Sequence, residues 1–131
     1  MDILIIEQDE KYLLFLKGFM AKIGQVDYCS TFAAGMSKID EKFSGGQLYD
    51  IYLIDLALPD NSAIRLLSKI RGLEDKNEKT GSIVVLMAKD KSESILLGFF
   101  SKEKDVFIEK TEDGDKLNRI FIKLGILHNS V

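Results

Sequence analysis

A chain of 131 residues, 46% hydrophobic and 30% charged, has the size and balance of one globular domain, large enough to bury roughly two thirds of the surface its unfolded form exposes. Its net charge of −3 leaves no electrostatic footprint for direct nucleic-acid binding. The single Cys29 excludes an internal disulfide and a cysteine-rich zinc site, and it fits a reducing compartment, so the cytoplasm is the expected location.

In chain order, Met1 leads straight into Ile3-Leu4-Ile5-Ile6 without a basic segment, and no apolar run approaches the ~18 residues of a membrane span. Neither a signal peptide nor a membrane partner is expected. Ile3 to Ile6 reads as a strand, closed by the polar cluster Glu7-Gln8-Asp9-Glu10. A helix follows from about Asp9 or Glu10 to Ile23, with Leu13, Leu16, Met20 and Ile23 at helical spacing and Gly24 at its end. Val26 to Ser30 is a weaker strand. Ala34 to Phe43 is a second helix, broken by Ser44-Gly45-Gly46.

Ile51 to Asp55 is a third strand, an apolar run that reaches an aspartate before Leu58-Pro59 stops regular structure. Asp60, before Asn61-Ser62, has the character of a turn or cap residue instead. Ser62 to Arg71 is a third helix, and the polar stretch from Gly72 to Ser82 reads as a loop. Ile83 to Met87 is the fourth strand, Lys91 to Ser101 a fourth helix, Val106 to Ile108 a short fifth strand, and Leu117 to Leu124 the last helix, with Asp113 as its N-cap.

Near-continuous apolar strands alternating with helices predict a parallel sheet covered on both faces. The expected fold is α/β, a doubly wound three-layer sandwich of five strands and five helices over a single domain, residues 1–131. Strand order 2-1-3-4-5, flavodoxin-like, is a common form of this class. In that order the first and third strands are neighbours, so Glu7 and Gln8 stand beside Asp55, and Lys110 reaches across the same sheet edge. Acidic groups from two strand ends suit a hard divalent cation, and an ammonium suits a phosphoryl group.

With Glu7, Asp55-Leu56-Ala57-Leu58-Pro59, the small Ala88 after strand 4, Phe107 in strand 5 and Lys110 after it, the chain resembles a response-regulator receiver domain, the phosphorylatable module of two-component signalling. The resemblance runs from Ile3 to about Leu124. It implies that Asp55 occupies the phosphoacceptor position and Lys110 that of the phosphate-contacting lysine. It also implies Mg²⁺ ligation by Glu7, Asp55 and the Ala57 backbone carbonyl, and it makes Phe107 the switch aromatic. Such a domain is not an enzyme beyond self-phosphotransfer onto Asp55, and it receives its signal from a histidine kinase or another signalling protein.

The departures from the family pattern are specific. Gln8 stands at the usual direct metal-ligand position, where a neutral amide replaces an acid and Mg²⁺ binding should weaken. Asp9 is more fitting as a helix cap. Met87 stands where the family has Thr or Ser, and a thioether cannot donate the hydroxyl's hydrogen bond; its bulk is expected to fill space the switch aromatic would use. Thr111 follows the lysine in place of a commonly cis proline. A non-proline cis bond costs about 3 kcal/mol, so the loop should run trans and redirect Lys110. Ala63 replaces the usual glycine before the third helix, and Lys102-Glu103-Lys104 replaces a glycine-containing turn before strand 5.

Two functions are therefore in view: a working receiver phosphorylated on Asp55 with Mg²⁺, and a pseudo-receiver that keeps the fold as a protein-interaction module. The altered Gln8 and Met87 favour the second. A phosphatase or flavin protein finds no support, for want of a paired Asp-x-Asp after strand 3 and of a Ser/Thr/Gly-rich phosphate loop after strand 1. His128, the one histidine, sits in a tail and reads as solvated. The end of the chain shortly after the last helix suggests a free-standing receiver. Two aromatic groups, Tyr12, Phe15 and Phe19 on the first helix and Phe99 and Phe100 on the fourth, are the candidate docking or homodimer surfaces; the alternative is that wide apolar helix faces bury most of them.

Overall fold

The computed structural model describes residues 1–76, 81–90 and 105–127. Its elements are β1 (Asp2–Ile6), α1 (Glu10–Met20), β2 (Gln25–Cys29), α2 (Phe32–Ser44), β3 (Ile51–Asp55), α3 (Ser62–Lys76), β4 (Ile83–Ala88), β5 (Asp105–Glu109) and α4 (Gly114–Lys123). The predicted helix from Lys91 to Ser101, with Phe99 and Phe100, lies outside the described residues, as do Lys102-Glu103-Lys104 and His128.

The five strands form one parallel sheet in the order β2-β1-β3-β4-β5, as the pattern predicts. Strands buried on both faces have no solvent side, which is why β1, β3 and β4 read as unbroken apolar runs. The edge strand β2 is largely exposed and correspondingly polar. Alternation along the strands splits the core in two. Ile3, Ile5, Leu53, Val85 and Met87 pack with Leu13 and Leu16 of α1 and with Leu117 and Phe121 of α4. Leu4, Ile6, Tyr52, Ile54 and Leu86 pack on the other face with Ile39 of α2 and Leu66 and Ile70 of α3. At Gly35 of α2 a methyl group would come within 2.7 Å of Ile6 Cδ1, so the close seat of that helix uses a residue without a side chain.

Helix ends follow local chemistry. Asp9, Thr31 and Asp113 are N-caps whose side chains accept from the first free N–H groups. The third helix runs further than predicted: Gly72 does not end it, because Leu73 and Glu74 beyond it are buried. Arg71 donates from one nitrogen to Glu74 Oε1 (2.6 Å) and from another to Asp105 Oδ1 (2.5 Å), and it also reaches the Ser82 carbonyl (3.1 Å). This network ties α3 to the starts of β4 and β5. The turn before α3 carries two left-handed residues, Asp60 (φ 59°) and Asn61 (φ 56°), residue types that tolerate that region better than most. Ala63 itself is helical, so no glycine is needed there.

Phe121 is fully buried and meets Phe19 edge-on at 5.6 Å between ring centres. Phe121→Ala should therefore cost about 3–5 kcal/mol of unfolding free energy, measured as a lower urea midpoint with an unchanged slope.

Candidate functional site

The crossover that puts β1 next to β3 also collects the polar residues at the carboxyl edge of the sheet. Glu7 follows β1 directly, and its N–H bonds the Cys29 carbonyl at the end of β2 (3.1 Å). Asp55 is the last residue of β3, paired in register with Met87 of β4. Lys110 follows β5, where its N–H donates to the Ala88 carbonyl (2.7 Å). Each functional side chain is thus held by backbone bonds at a strand end, the usual site of ligand crevices in open α/β sheets.

Lys110 Nζ lies 2.9 Å from Glu7 Oε1 and 2.9 Å from Asp55 Oδ1. Both carboxylates are completely buried. Asp55 Oδ1 also accepts from the Ala57 N–H (2.9 Å), and Oδ2 receives the Gln8 N–H (3.4 Å). The Gln8 side chain donates from Nε2 to the Ala57 carbonyl (2.9 Å). A carbonyl can only accept, so that contact fixes which way the amide points.

Two carboxylates sharing one ammionium cannot ionise alike. Burial, and then the Asp55 carboxylate beside it, push Glu7 up to about 7. Burial also opposes the charge on Asp55, but hydrogen bonds with Glu7, Lys110 and the Ala57 N–H outweigh it and hold Asp55 below its ordinary value. Of the two, Glu7 is the one that takes up a proton first as the pH falls. Its Oε2 is buried with no hydrogen-bond partner, so a proton there removes charge from an oxygen that no donor compensates. Burial likewise disfavours the charge on Lys110, yet the hydrogen bonds to Asp55 and Glu7 raise its pKa.

The loop past Lys110 departs from the expected geometry in one respect. The chain is trans throughout the described residues, as predicted at Thr111, but Lys110 is not redirected. The Thr111 N–H, which a proline would lack, donates to Tyr12 Oη (3.2 Å), and Lys110 Nζ sits 5.5 Å from the centre of the Tyr12 ring. Tyr12 thereby belongs to the site, a role missed in the sequence. It is 4% exposed and Phe19 is 7% exposed, which corrects their placement on a docking surface: both are core residues. Phe15 alone of the three is only partly buried.

Met87 is fully buried in the α1–α4 core, whereas Phe107 packs against the opposite one with Leu56. In this arrangement Met87 and Phe107 are not packed together, because alternation along β4 and β5 sends the two side chains to opposite faces. Met87 instead lies beside Asp55 without a hydroxyl to offer.

The donor set does not fit Mg²⁺ in this arrangement. The Ala57 carbonyl is occupied by Gln8 Nε2, and Glu7 Oε1 and Asp55 Oδ1 are occupied by Lys110. Among the described residues no group of three or more His, Cys, Asp or Glu is placed to hold a metal. No helix among them is long and apolar enough to cross a membrane.

Fold and site together define a CheY-like receiver domain, and comparison with known proteins agrees. No protein-family model matches the chain. The transcriptional regulatory protein PmrA of Pectobacterium parmentieri is 30% identical over 98 residues, 75% of this chain; the match spans 40% of that relative's length. Among solved structures, a CheY-like response regulator receiver domain from Methylobacillus flagellatus is 26% identical, with a TM-score of 0.65 over 94% of this chain and 97% of that one. The receiver domain of the histidine kinase CKI1 from Arabidopsis thaliana, solved with Mg²⁺ and BeF₃⁻, is 14% identical, with a TM-score of 0.72 over 95% of this chain and 89% of that one. The chain is a receiver domain of the response-regulator kind, a module of two-component signalling.

The Glu7 proton makes the site sensitive to pH. Because Glu7 holds its proton more tightly folded than unfolded, its contribution to stability is full below its ordinary value of 4.5 and is lost as the pH rises to about 7. The depressed Asp55 acts oppositely, and its contribution is lost only in stronger acid, below its ordinary 3.8. Glu7→Gln should flatten the fall of stability between pH 4.5 and 7, followed by urea unfolding at each pH; an unchanged slope would contradict the protonated pair.

Proposed function

We propose that this chain is a single, cytoplasmic pseudo-receiver: a signal-transduction module with a degenerate phosphorylation site that acts mainly through protein–protein contact. The observation that carries this reading is the Gln8 amide on the Ala57 carbonyl, which takes up the backbone oxygen that the family resemblance assigns to Mg²⁺. The buried Met87 beside Asp55 supports it, since no hydroxyl is there to bond a phosphoryl oxygen. Phosphoryl transfer to a carboxylate depends on positioning and on offsetting charge. Here Lys110 is spent on two resident carboxylates, and the metal ligands are partly taken.

A second reading has one specific observation in its favour. Asp55 and Lys110 lie 2.9 Å apart at the sheet edge, as a working phospho-receiver would need. In that case the Asp55 carboxylate would attack the phosphorus of a phosphohistidine on a histidine kinase, the phosphorus–nitrogen bond would break with its electron pair leaving on the imidazole nitrogen, and Lys110 would offset the charge of the transferred group.

Intact-mass spectrometry after incubation with acetyl phosphate and Mg²⁺ separates the two. The pseudo-receiver gains no phosphoryl adduct, and its amide spectrum does not shift with beryllofluoride; an adduct that disappears in Asp55→Asn would establish the working receiver. Restoring the family residues by Gln8→Asp with Met87→Thr should confer acceptance of phosphate on Asp55 that requires Mg²⁺. Inertness of that double variant would shift the cause to the Thr111 loop.

As for partners, a kinase or another signalling protein, or a second copy of the chain, would dock on an exposed apolar patch. Of the first-helix aromatics only the partly buried Phe15, next to the exposed Leu14, is left as a candidate among the described residues. A folded Phe15→Glu variant should lose a partner, or its own dimerisation, in pull-down and sedimentation; full retention of both would remove Phe15 from the interface.

A further inference from the structure

The turn after β1 and the loop after β3 carry the oxygens around which a receiver site closes, and two like-charged loops of this kind do not approach without something positive between them. In this chain side chains join them. Gln8 contributes twice: its backbone N–H points at Asp55 Oδ2 (3.4 Å) and its side-chain Nε2 donates to the Ala57 carbonyl (2.9 Å). Lys110 supplies the charge, bridging Asp55 and Glu7. An acid at position 8 could not make the same contact, since a carboxylate facing a carbonyl oxygen has no proton to give.

We propose that Gln8 is an internal substitute for the divalent cation, a neutral clasp that docks the β1 turn on the β3 loop and makes the geometry of this site independent of Mg²⁺. The inference deepens the pseudo-receiver reading by naming what replaces the ion. It predicts a site whose resting shape is already closed. A carboxamide is suited to this because it adds a donor without adding charge, so the balance among Lys110, Asp55 and Glu7 is undisturbed.

The test is thermal unfolding and amide NMR of the protein in EDTA and in millimolar MgCl₂. The unaltered chain should show the same melting temperature and the same amide spectrum in both. Gln8→Met, close in size but without a donor, should melt lower than the unaltered chain in EDTA, with shifts confined to the turn after Glu7 and the loop around Ala57. Gln8→Asp should also melt lower in EDTA and regain the loss in MgCl₂. The clasp is overturned if the unaltered chain is stabilised by MgCl₂ as much as Gln8→Asp is. It is overturned as well if Gln8→Met matches the unaltered chain in melting temperature and in the Ala57 amide shift. Should Gln8→Asp fail to fold, these two comparisons still decide. A phosphoryl adduct on Asp55 in a chain insensitive to MgCl₂ would defeat the pseudo-receiver reading and leave the clasp standing; Mg²⁺ stabilisation without an adduct would do the reverse.

Discussion

One ammonium group holds two fully buried carboxylates together, and the arrangement at the sheet edge depends on it. Removing a charge from water is costly, and burying Glu7 and Asp55 side by side would be prohibitive if both were ionised and unpaired. The pair is tolerated because Lys110 lies 2.9 Å from each and because Glu7 keeps its proton towards neutrality. The Ala88 carbonyl and the Tyr12 hydroxyl hold the backbone at Lys110 and Thr111, from which the lysine reaches both carboxylates. Sheet order, loop and ion triad are in that sense one structure: each strand end contributes a group that has no favourable place without the others.

The fold was legible because its signal is local. Four-to-six-residue apolar runs and helical spacing report on neighbours in sequence, and β3 was read to its observed limits, Ile51–Asp55. The cluster of Glu7, Asp55 and Lys110 followed from topology alone, since strand order decides which loops share an edge. What escaped was set by contacts distant in sequence. The Thr111 N–H finds Tyr12 from 99 residues away, and Gln8 finds the Ala57 carbonyl from 49; no periodicity encodes either. Spacing leaves Tyr12 open between a docking stripe and a buried helix face, because it reports an aromatic face and says nothing of where a hydroxyl points. The end of α3 was misplaced for a similar reason. Glycine in a helix costs only about 1 kcal/mol, and burial of Leu73 and the Arg71 network outweigh it. A free N–H left by the absent proline was the one available hint to the Tyr12 contact.

The place of each site residue in the sheet sets how freely it can move. Asp55 ends β3, which is paired on both sides by β1 and β4, whereas Lys110 follows β5, which stands at the margin of the sheet. Backbone hydrogen bonds in a doubly flanked strand open only with the whole domain, while marginal strands fray locally. Amides of β3 should accordingly exchange with solvent deuterium on the timescale of global unfolding, and those of β5 sooner. The carboxylates are then the anvil and Lys110 the moving part: any partner that remodels this site has the lysine's strand, not the aspartate's, within energetic reach.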